Sequence, residues 1–418
     1  MTFSRFRPAL ILLLFAAARI PLLIVRATFF DELFTRWISA KPFAGIVSAL
    51  RWDSGPPLYY FAVRLLGDPS VAITRILSLV CAAISLILIL RTKNMIAALL
   101  LAVFPPAILF AVDARNYAMC AMFATIAVLA IDEDRPFVAA IALVAAAYSH
   151  YYAVLLFPVL LLGPAGEPPA VQPASRRRYG RRRAYALAAA IVLYIPGFLL
   201  ALHQPVEARA WMTGNWPNAL FIAPPIAIAI IGAIVFAISI RVNRYAVMVL
   251  VPLLLAVATR VYVPMRFEAV IAAPLVLWLA ESLKTNRFRV PLTAALVAVC
   301  AVWTTIGIVD HATRPTDSYR AAAAWVANNI PGNETLLASG YCYLETVMNG
   351  HTRVVAFPDE QAIHPGWRAL PKAGLHSPAG AFFWTGERAA PEFGVFRRDR
   401  RIIEPLFIND RAMVALVR

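Results

Sequence analysis

Charge is what this chain has least of. Charged residues make up 15% of its 418 positions, where a soluble domain carries roughly 25%. So few polar groups cannot cover a folded protein in water, which excludes an ordinary soluble globule. Cysteine is scarce too. Of the 4 cysteines, Cys81, Cys120 and Cys300 fall inside apolar runs, and Cys342 is left with no partner outside them. That excludes a disulfide framework. Also missing are a Walker loop, zinc-type spacing and a dinucleotide fingerprint. Their absence argues against ATP or nucleotide-sugar chemistry in the cytosol, and neither a metal site nor a cofactor is expected.

Apolar residues fill the space, at 61% of the chain. Runs at 8–25, 71–90, 184–202, 219–240 and 290–309 meet the requirement of about 20 apolar residues per membrane crossing. The net charge of +16 could suggest nucleic acid, but the arginines cluster in short segments between runs. That is the positive-inside pattern of a polytopic membrane protein, so no nucleic-acid partner is expected. Arg5 and Arg7 ahead of an apolar run resemble a signal peptide. Arg19 interrupts the run and no small-x-small cleavage site follows, so a retained first helix is expected.

With the N-terminus inside, the first span delivers a loop, 26–70, to the outside. Later spans return to Arg91 and Lys93, exit to 113–117, and come back to 132–135. The stretch 136–162 is long enough for one tilted helix. One helix would place the basic run 176–183 outside, so two short spans meeting near Ser149 and His150 are expected instead. Further crossings reach loops 203–217 and 260–266 on the outside and Arg241, Arg244, Lys284, Arg287 and Arg289 on the inside. The total is about eleven spans with the C-terminus outside. Residues 1–309 form the membrane domain. From 310 to 418 the polarity is mixed, with an amphipathic helix over 319–329 and strands at 335–338, 353–357, 381–385 and 413–417. This predicts a small extracytoplasmic α/β domain.

In this topology the unusual ionisable residues gather on the outer side: Asp31, Glu32, Asp53, Asp113, Arg115, His150, Arg260 and Arg266. Ionisable groups at membrane depth are expensive, so a cluster at one face points to chemistry on an anionic, membrane-held substrate. Adjacent carboxylates diverge on any regular backbone. One of Asp31 and Glu32 can therefore face a reaction centre and take a proton from a hydroxyl while the other is anchored. Both can equally serve as acids opening a helix.

For Asp53, ahead of Pro56-Pro57-Leu58-Tyr59-Tyr60, three roles stay open: an acid near a helix N-cap, a substrate hydrogen-bond partner, or a metal ligand. Arg115, within Asp113-Ala114-Arg115-Asn116-Tyr117, can offer a fork to a phosphate with Asp113 orienting it; interfacial anchoring by Arg and Tyr fits as well. His150-Tyr151-Tyr152 sits at a tight turn, where a histidine is structural as often as functional. Arg260 and Arg266 put two cations outside, against the charge rule, which argues for an anionic partner such as a lipid phosphate. Arg19 and Arg75 can pair with the loop acids or snorkel.

Taken in order, Asp31-Glu32, Pro56-Pro57-Leu58-Tyr59-Tyr60, Ala114-Arg115-Asn116-Tyr117, His150-Tyr151-Tyr152-Ala153 and Val263-Pro264-Met265-Arg266 resemble a known family. It is that of the bacterial relatives of protein O-mannosyltransferases and of the lipid A aminoarabinose transferase, which have the GT-C fold. The likeness runs over about residues 8–310. It implies an all-α polytopic GT-C domain of about eleven helices in a bacterial inner membrane. It also implies an inverting transferase that takes a sugar from a polyprenyl-phosphate donor to a lipid, glycan or protein acceptor at the periplasmic face. Asp31 would be the base, beside Glu32. Asp53, Tyr59, Tyr60, Asp113, Arg115, Tyr117, His150, Tyr151, Arg260 and Arg266 would bind substrate, with Arg115, Arg260 and Arg266 neutralising the leaving phosphate. Many relatives carry His or Lys just before the Pro-Pro pair, where this chain has Gly55, so the acceptor class is open. Two other readings stand: a ligase or polymerase using diphosphate-linked glycans, and a lipid or sugar flippase. Transporters usually show inverted repeats and midplane polar groups, whereas here the polar groups sit at one face.

Overall fold

The computed structural model describes residues 6–162, 173–204, 243–313, 318–331, residue 334 and five short strands, except positions 27, 29, 54, 68, 69 and 264. Among the described residues four helices are long and apolar enough to cross a membrane: Pro8–Val25, Val71–Arg91, Gly180–Leu202 and Arg289–Val309. Shorter apolar helices at Tyr117–Asp132, Pro136–Ser149, Tyr151–Leu161 and Arg244–Ala258 lie among them. With this content the chain is a multi-pass membrane protein. The run expected at 219–240 lies outside the described residues.

Helix α1 (Phe6–Val25) shows how the sequence sorts its faces. Ile11, Phe15 and Leu22 are buried, while Leu10, Leu13, Ile20 and Ile24 are exposed to what must be lipid. The loop expected at 26–70 is mostly helical: α2 (Phe30–Ser39), α3 (Phe43–Leu50) and α4 (Leu58–Leu65) precede α5 (Val71–Arg91). Ser70 caps α5 by accepting from the Ile73 N–H, as a serine N-cap should.

The crossing expected between Lys93 and the outer segment 113–117 is broken into α6 (Met95–Val103) and α7 (Pro105–Leu109). A residue before proline is driven out of the α region, and Phe104 has ψ 116. Pro105 and Pro106 have no N–H to offer the carbonyls of Leu101 and Ala102. The buried Arg19 guanidinium donates to the Ala102 carbonyl at 2.7 Å and to Phe15 O at 3.2 Å. Arg19 therefore repairs a broken ladder; among the described residues no carboxylate pairs with it.

Helices α8 (Tyr117–Asp132) and α9 (Pro136–Ser149) pack against each other. The contact is rich in buried alanine, Ala124, Ala127 and Ala130 on one side and Ala139, Ala140, Ala146 and Ala147 on the other. Small residues let backbones approach closely where lipid gives no hydrophobic drive. After α9 the chain breaks at His150, whose φ −153 and ψ 133 are extended, and continues as a 3₁₀ helix over Tyr151–Leu161. Two short elements thus meet at Ser149 and His150. The basic run at 176–183, read as a loop, instead lies within the 30-residue helix α10 (Pro173–Leu202).

Helix α11 (Arg244–Ala258) is one element. The crossing expected between the outer loop 260–266 and Lys284 is two helices, α12 (Arg266–Val270) and α13 (Ala272–Lys284), followed by α14 (Arg289–Thr313). Polar groups from segments read as lying on one side come together. Arg244 Nη2 is 2.8 Å from Asp132 Oδ1, Arg183 Nη2 is 3.4 Å from Asp134 Oδ1, and Asn94 Nδ2 donates to Glu281 Oε1 at 3.3 Å.

Beyond α14 come α15 (Ser318–Asn329) and strands β1 (Leu336–Ala338), β2 (Val354–Ala356), β3 (Ala381–Thr385), β4 (Ile403–Ile408) and β5 (Met413–Val417). The sheet order is β2-β1-β3-β5-β4. β1 pairs parallel with β2 and β3, and β5 pairs antiparallel with β3 and β4. Helix α15 packs on β4 and β5.

Candidate active site

Neighbouring residues on a helix point about 100° apart, and in the first turn of α2 this separates Asp31 from Glu32. Glu32 is fully buried and engaged. Its oxygens accept from Arg75 Nε at 2.7 Å and Nη2 at 2.6 Å, and Oε1 also accepts from the Ala114 N–H at 2.8 Å. Arg75 Nη1 completes the clamp on the Arg26 carbonyl at 2.8 Å. Glu32 therefore ties α2 to α5 and to the loop before α8, and has no free edge for a reacting proton.

Asp31 keeps a third of its side chain exposed, with Oδ2 3.8 Å from Arg115 Nη2 and 4.0 Å from Arg266 Nη2. These are ion-pair distances too long for hydrogen bonds. Arg115 Nη1 donates to the Asp31 backbone carbonyl at 3.3 Å and approaches Thr35 Oγ1 at 3.4 Å. Its Nε has no partner among the described residues.

Arg115 and Arg266 open onto a cavity of about 280 Å³. Asp53, Tyr60, Tyr117, His150 and Tyr151 line it too, with an apolar wall that includes Leu155, Tyr194 and Phe198. His150 stacks between Tyr117, with ring centroids 4.8 Å apart, and Tyr152, at 4.5 Å. Its Nδ1 accepts from the Tyr152 N–H at 3.2 Å, which leaves Nε2–H as the free group. Burial first, then the charges of Arg266 and Arg115, push this imidazole down to about 3. Both causes favour the neutral imidazole, whose Nε2–H can donate.

Arg266 opens α12 beneath two residues of left-handed backbone, Arg260 at φ 57 and Met265 at φ 68. Non-glycine residues adopt that conformation rarely, and such positions cluster at functional sites. The guanidinium lies 5.8 Å from the Tyr117 ring centroid.

Not every expected residue reaches the cavity. Tyr59 turns the other way, buried against Val63, Cys81 and Met119, with its hydroxyl 3.0 Å from Ser78 Oγ. Asp113 is buried and ion-paired with Arg26, so it does not orient Arg115 through a direct ion pair. Arg260 is exposed and is not among the lining residues, and Asp31 is not among them either, meeting the cavity through its ion pairs with Arg115 and Arg266. Asp53 accepts from the Tyr60 hydroxyl at 3.4 Å. A Cβ at Gly55 would come within 3.2 Å of that hydroxyl and 3.3 Å of Asp53 Oδ2, so the Tyr60–Asp53 pair fills the space a larger residue would need. Among the described residues no three His, Cys, Asp or Glu side chains gather as ligands for a metal.

No family model matches this sequence, and no curated protein matches it. Solved structures do match. ArnT from Cupriavidus metallidurans in the apo state superposes with a TM-score of 0.62 at 12% identity, covering 99% of this chain and 97% of that one. The chain has the GT-C fold. The same protein bound to undecaprenyl phosphate gives a TM-score of 0.60 at 14% identity, over 99% and 97%.

Within this GT-C fold the hydrogen bonds of Gln204 and Tyr152 carried no sequence signal. Gln204 donates to the carbonyls of Leu50 and Gly55 at 2.8 and 3.0 Å and accepts from the Tyr151 hydroxyl at 3.0 Å. It pins the 51–57 loop to the 3₁₀ helix. Tyr152 likewise donates to the Val261 carbonyl at 2.8 Å, tying that helix to the segment leading to Arg266. Both bonds join segments far apart in sequence, and no local pattern announces them.

Proposed function

We propose that this protein is an inverting GT-C glycosyltransferase that moves a sugar from a polyprenyl-phosphate carrier to an acceptor hydroxyl at the extracytoplasmic face. One observation carries the reading: Asp31 Oδ2 stands 3.8 and 4.0 Å from two arginines that edge the same cavity. A general base beside two cations suits an attack that produces an anionic phosphate leaving group. The bound undecaprenyl phosphate in ArnT of the same fold supports such a carrier.

In this mechanism the acceptor oxygen forms a bond to C1 of the sugar as the bond from C1 to the phosphate oxygen breaks. The electron pair leaves on the phosphate, and the acceptor proton passes to Asp31. Arg115 and Arg266 neutralise the developing phosphate charge, so no strong general acid is needed. The His150 Nε2–H donates to the phosphate or to a sugar oxygen. Tyr60, Asp53 and Tyr151 shape the sugar end, and Tyr194, Phe198 and Leu155 offer the prenyl chain an apolar wall. Glu32 acts through α2 as a positioning residue.

The face follows from charge. The carboxylate–arginine cluster lies in segments opposite to the Arg244–Asp132 and Arg183–Asp134 pairs, where the basic loops accumulate, and basic loops stay inside. Residues 310–418, with α15 and the sheet, then form an extracytoplasmic α/β domain on about eleven spans in an inner membrane. The cavity volume of about 280 Å³ lies just below that of ligand pockets, roughly 300–1,000 Å³.

The test is consumption of short-chain polyprenyl monophosphate sugars and of the diphosphate-linked equivalents by the purified protein, read as released lipid phosphate. Turnover of the monophosphate donor with a pentose or hexose is expected. Turnover confined to diphosphate donors would favour the ligase, and transport of the lipid without bond cleavage the flippase.

A further inference from the structure

Helix α5 carries three side-chain hydroxyls, and two of them turn back on the helix. Thr74 Oγ1 donates to the Ser70 carbonyl and Ser85 Oγ to the Cys81 carbonyl, each at 3.2 Å, the bond to residue i−4 that Ser and Thr commonly make inside helices. Ser78 departs from this pattern. Its Oγ donates to the Arg115 carbonyl at 3.2 Å, 37 positions away, and lies 3.0 Å from the Tyr59 hydroxyl. A carbonyl can only accept, so the Ser78 hydrogen is committed to Arg115 and the Tyr59 hydroxyl is the donor to Ser78 Oγ. Ser78 and Tyr59 are both buried, where hydrogen bonds in a chain strengthen one another.

The carbonyl held in this way belongs to the residue assigned above to the donor phosphate. Its neighbours are held as well. The Ala114 N–H donates to Glu32 Oε1 at 2.8 Å, and Asn116 Nδ2 donates to the Ser149 carbonyl at 2.6 Å. Three consecutive residues are thus fixed to α2, α5 and α9, while the Arg115 side chain keeps 19% of its surface exposed and lines the cavity. A long side chain binds best when its backbone origin is set beforehand, because ordering it otherwise opposes the binding step.

We infer that Ser78, oriented by Tyr59, is a positioning residue for donor binding: it holds the Arg115 backbone so that the guanidinium is aimed at the donor phosphate. This rests on the transferase reading above. Tyr59, which the fold turns away from the cavity, then serves the site through its hydroxyl without touching substrate.

The experiment titrates a short-chain polyprenyl-phosphate sugar against purified, folded wild type, Ser78→Ala, Tyr59→Phe and Arg115→Gln, and against Ser78→Ala and Tyr59→Phe each combined with Arg115→Gln. Ser78→Ala should weaken donor binding by about tenfold, within the range over which members of one hydrogen-bond network couple, and leave the acceptor KM near wild type. Tyr59→Phe should shift donor binding the same way by less, since it leaves the Ser78–Arg115 bond in place. In the Arg115→Gln background neither change should weaken binding further, because the group they position is gone. A merely structural role would lower donor affinity by the same factor with or without Arg115. That additive result, or unchanged donor affinity in Ser78→Ala, would overturn the inference with the transferase intact. If Ser78→Ala does not fold, Tyr59→Phe decides on the same terms: a loss that vanishes without Arg115 supports the inference, and an additive loss or none overturns it. Wild type that neither binds nor consumes any polyprenyl-phosphate sugar would instead overturn the transferase reading itself.

Discussion

Arg260 and Arg266 look equivalent in the sequence, two cations six positions apart in one outer loop. The backbone separates them. Positive φ angles at Arg260 and Met265 turn the chain so that Arg266 reaches the cavity and Arg260 stays at the surface. Replacing Arg266 or Arg115 with Gln should weaken donor binding by about tenfold to a hundredfold, because a charge-assisted contact to a partly desolvated phosphate contributes roughly 1.5–3 kcal/mol. Arg260→Gln should do much less, and Lys at 266 should rescue only in part, lacking the planar fork. Titration with a polyprenyl-phosphate sugar at saturating acceptor checks this; equal losses at 260 and 266 would contradict the assignment. Residue types were legible here, since scarce charge at membrane depth is conspicuous. Partners were not. Glu32 meets Arg75, 43 positions away, and Ala114, 82 away, and only the fold brings such groups together. Tyr59 and Tyr60 share one motif, yet only the phase of α4 decides which one sees the cavity.

The buried Glu32–Arg75 pair is the bolt between elements, joining α2 to α5 and, through the Ala114 N–H, to the loop carrying Arg115. Removing one partner strands the other charge in a dry site. Arg75→Leu should therefore cost about 3–5 kcal/mol and lower the melting temperature in detergent. Combining it with Glu32→Leu should recover part of the stability, because a buried pair can be replaced by apolar side chains far more cheaply than broken. The double variant should still lose activity, since Asp31 and Arg115 lose their anchor. A double variant no more stable than Arg75→Leu would show that the pair is not the element it is taken for. At this scale the apolar runs announced most helices, and between 136 and 162, where two short spans are expected, the structure has a 14-residue α-helix followed by an 11-residue 3₁₀ helix. Hydropathy did not register the interruptions. Phe104-Pro105-Pro106 divides α6 from α7, and a turn at Ile271 divides α12 from α13, because apolar turn residues leave the run unbroken. In the C-terminal part, β4 went unread since Pro405 is a poor strand residue; the structure places a register irregularity between Pro405 and Phe407.

At the level of the whole molecule, one end gathers Asp31, Arg115, His150 and Arg266, and segments read as facing the other side gather Asp132, Arg183, Arg244 and Glu281. A single cysteine at Ser54 should react with an impermeant thiol reagent added outside intact cells, and one at Ser175 should not, in a background free of the native cysteines. Labelling at Ser175 would reverse the assigned face and remove the extracytoplasmic site. The path from sequence to function then comes down to one carboxylate. Asp31→Asn keeps the shape of the side chain, its place on α2 and the arginines around it, and removes the proton acceptor. Purified Asp31→Asn should bind a polyprenyl-phosphate sugar with affinity close to wild type and turn it over at least about 100-fold more slowly. Near-normal turnover by that variant on the same donor and acceptor would contradict the assignment of Asp31 as the base.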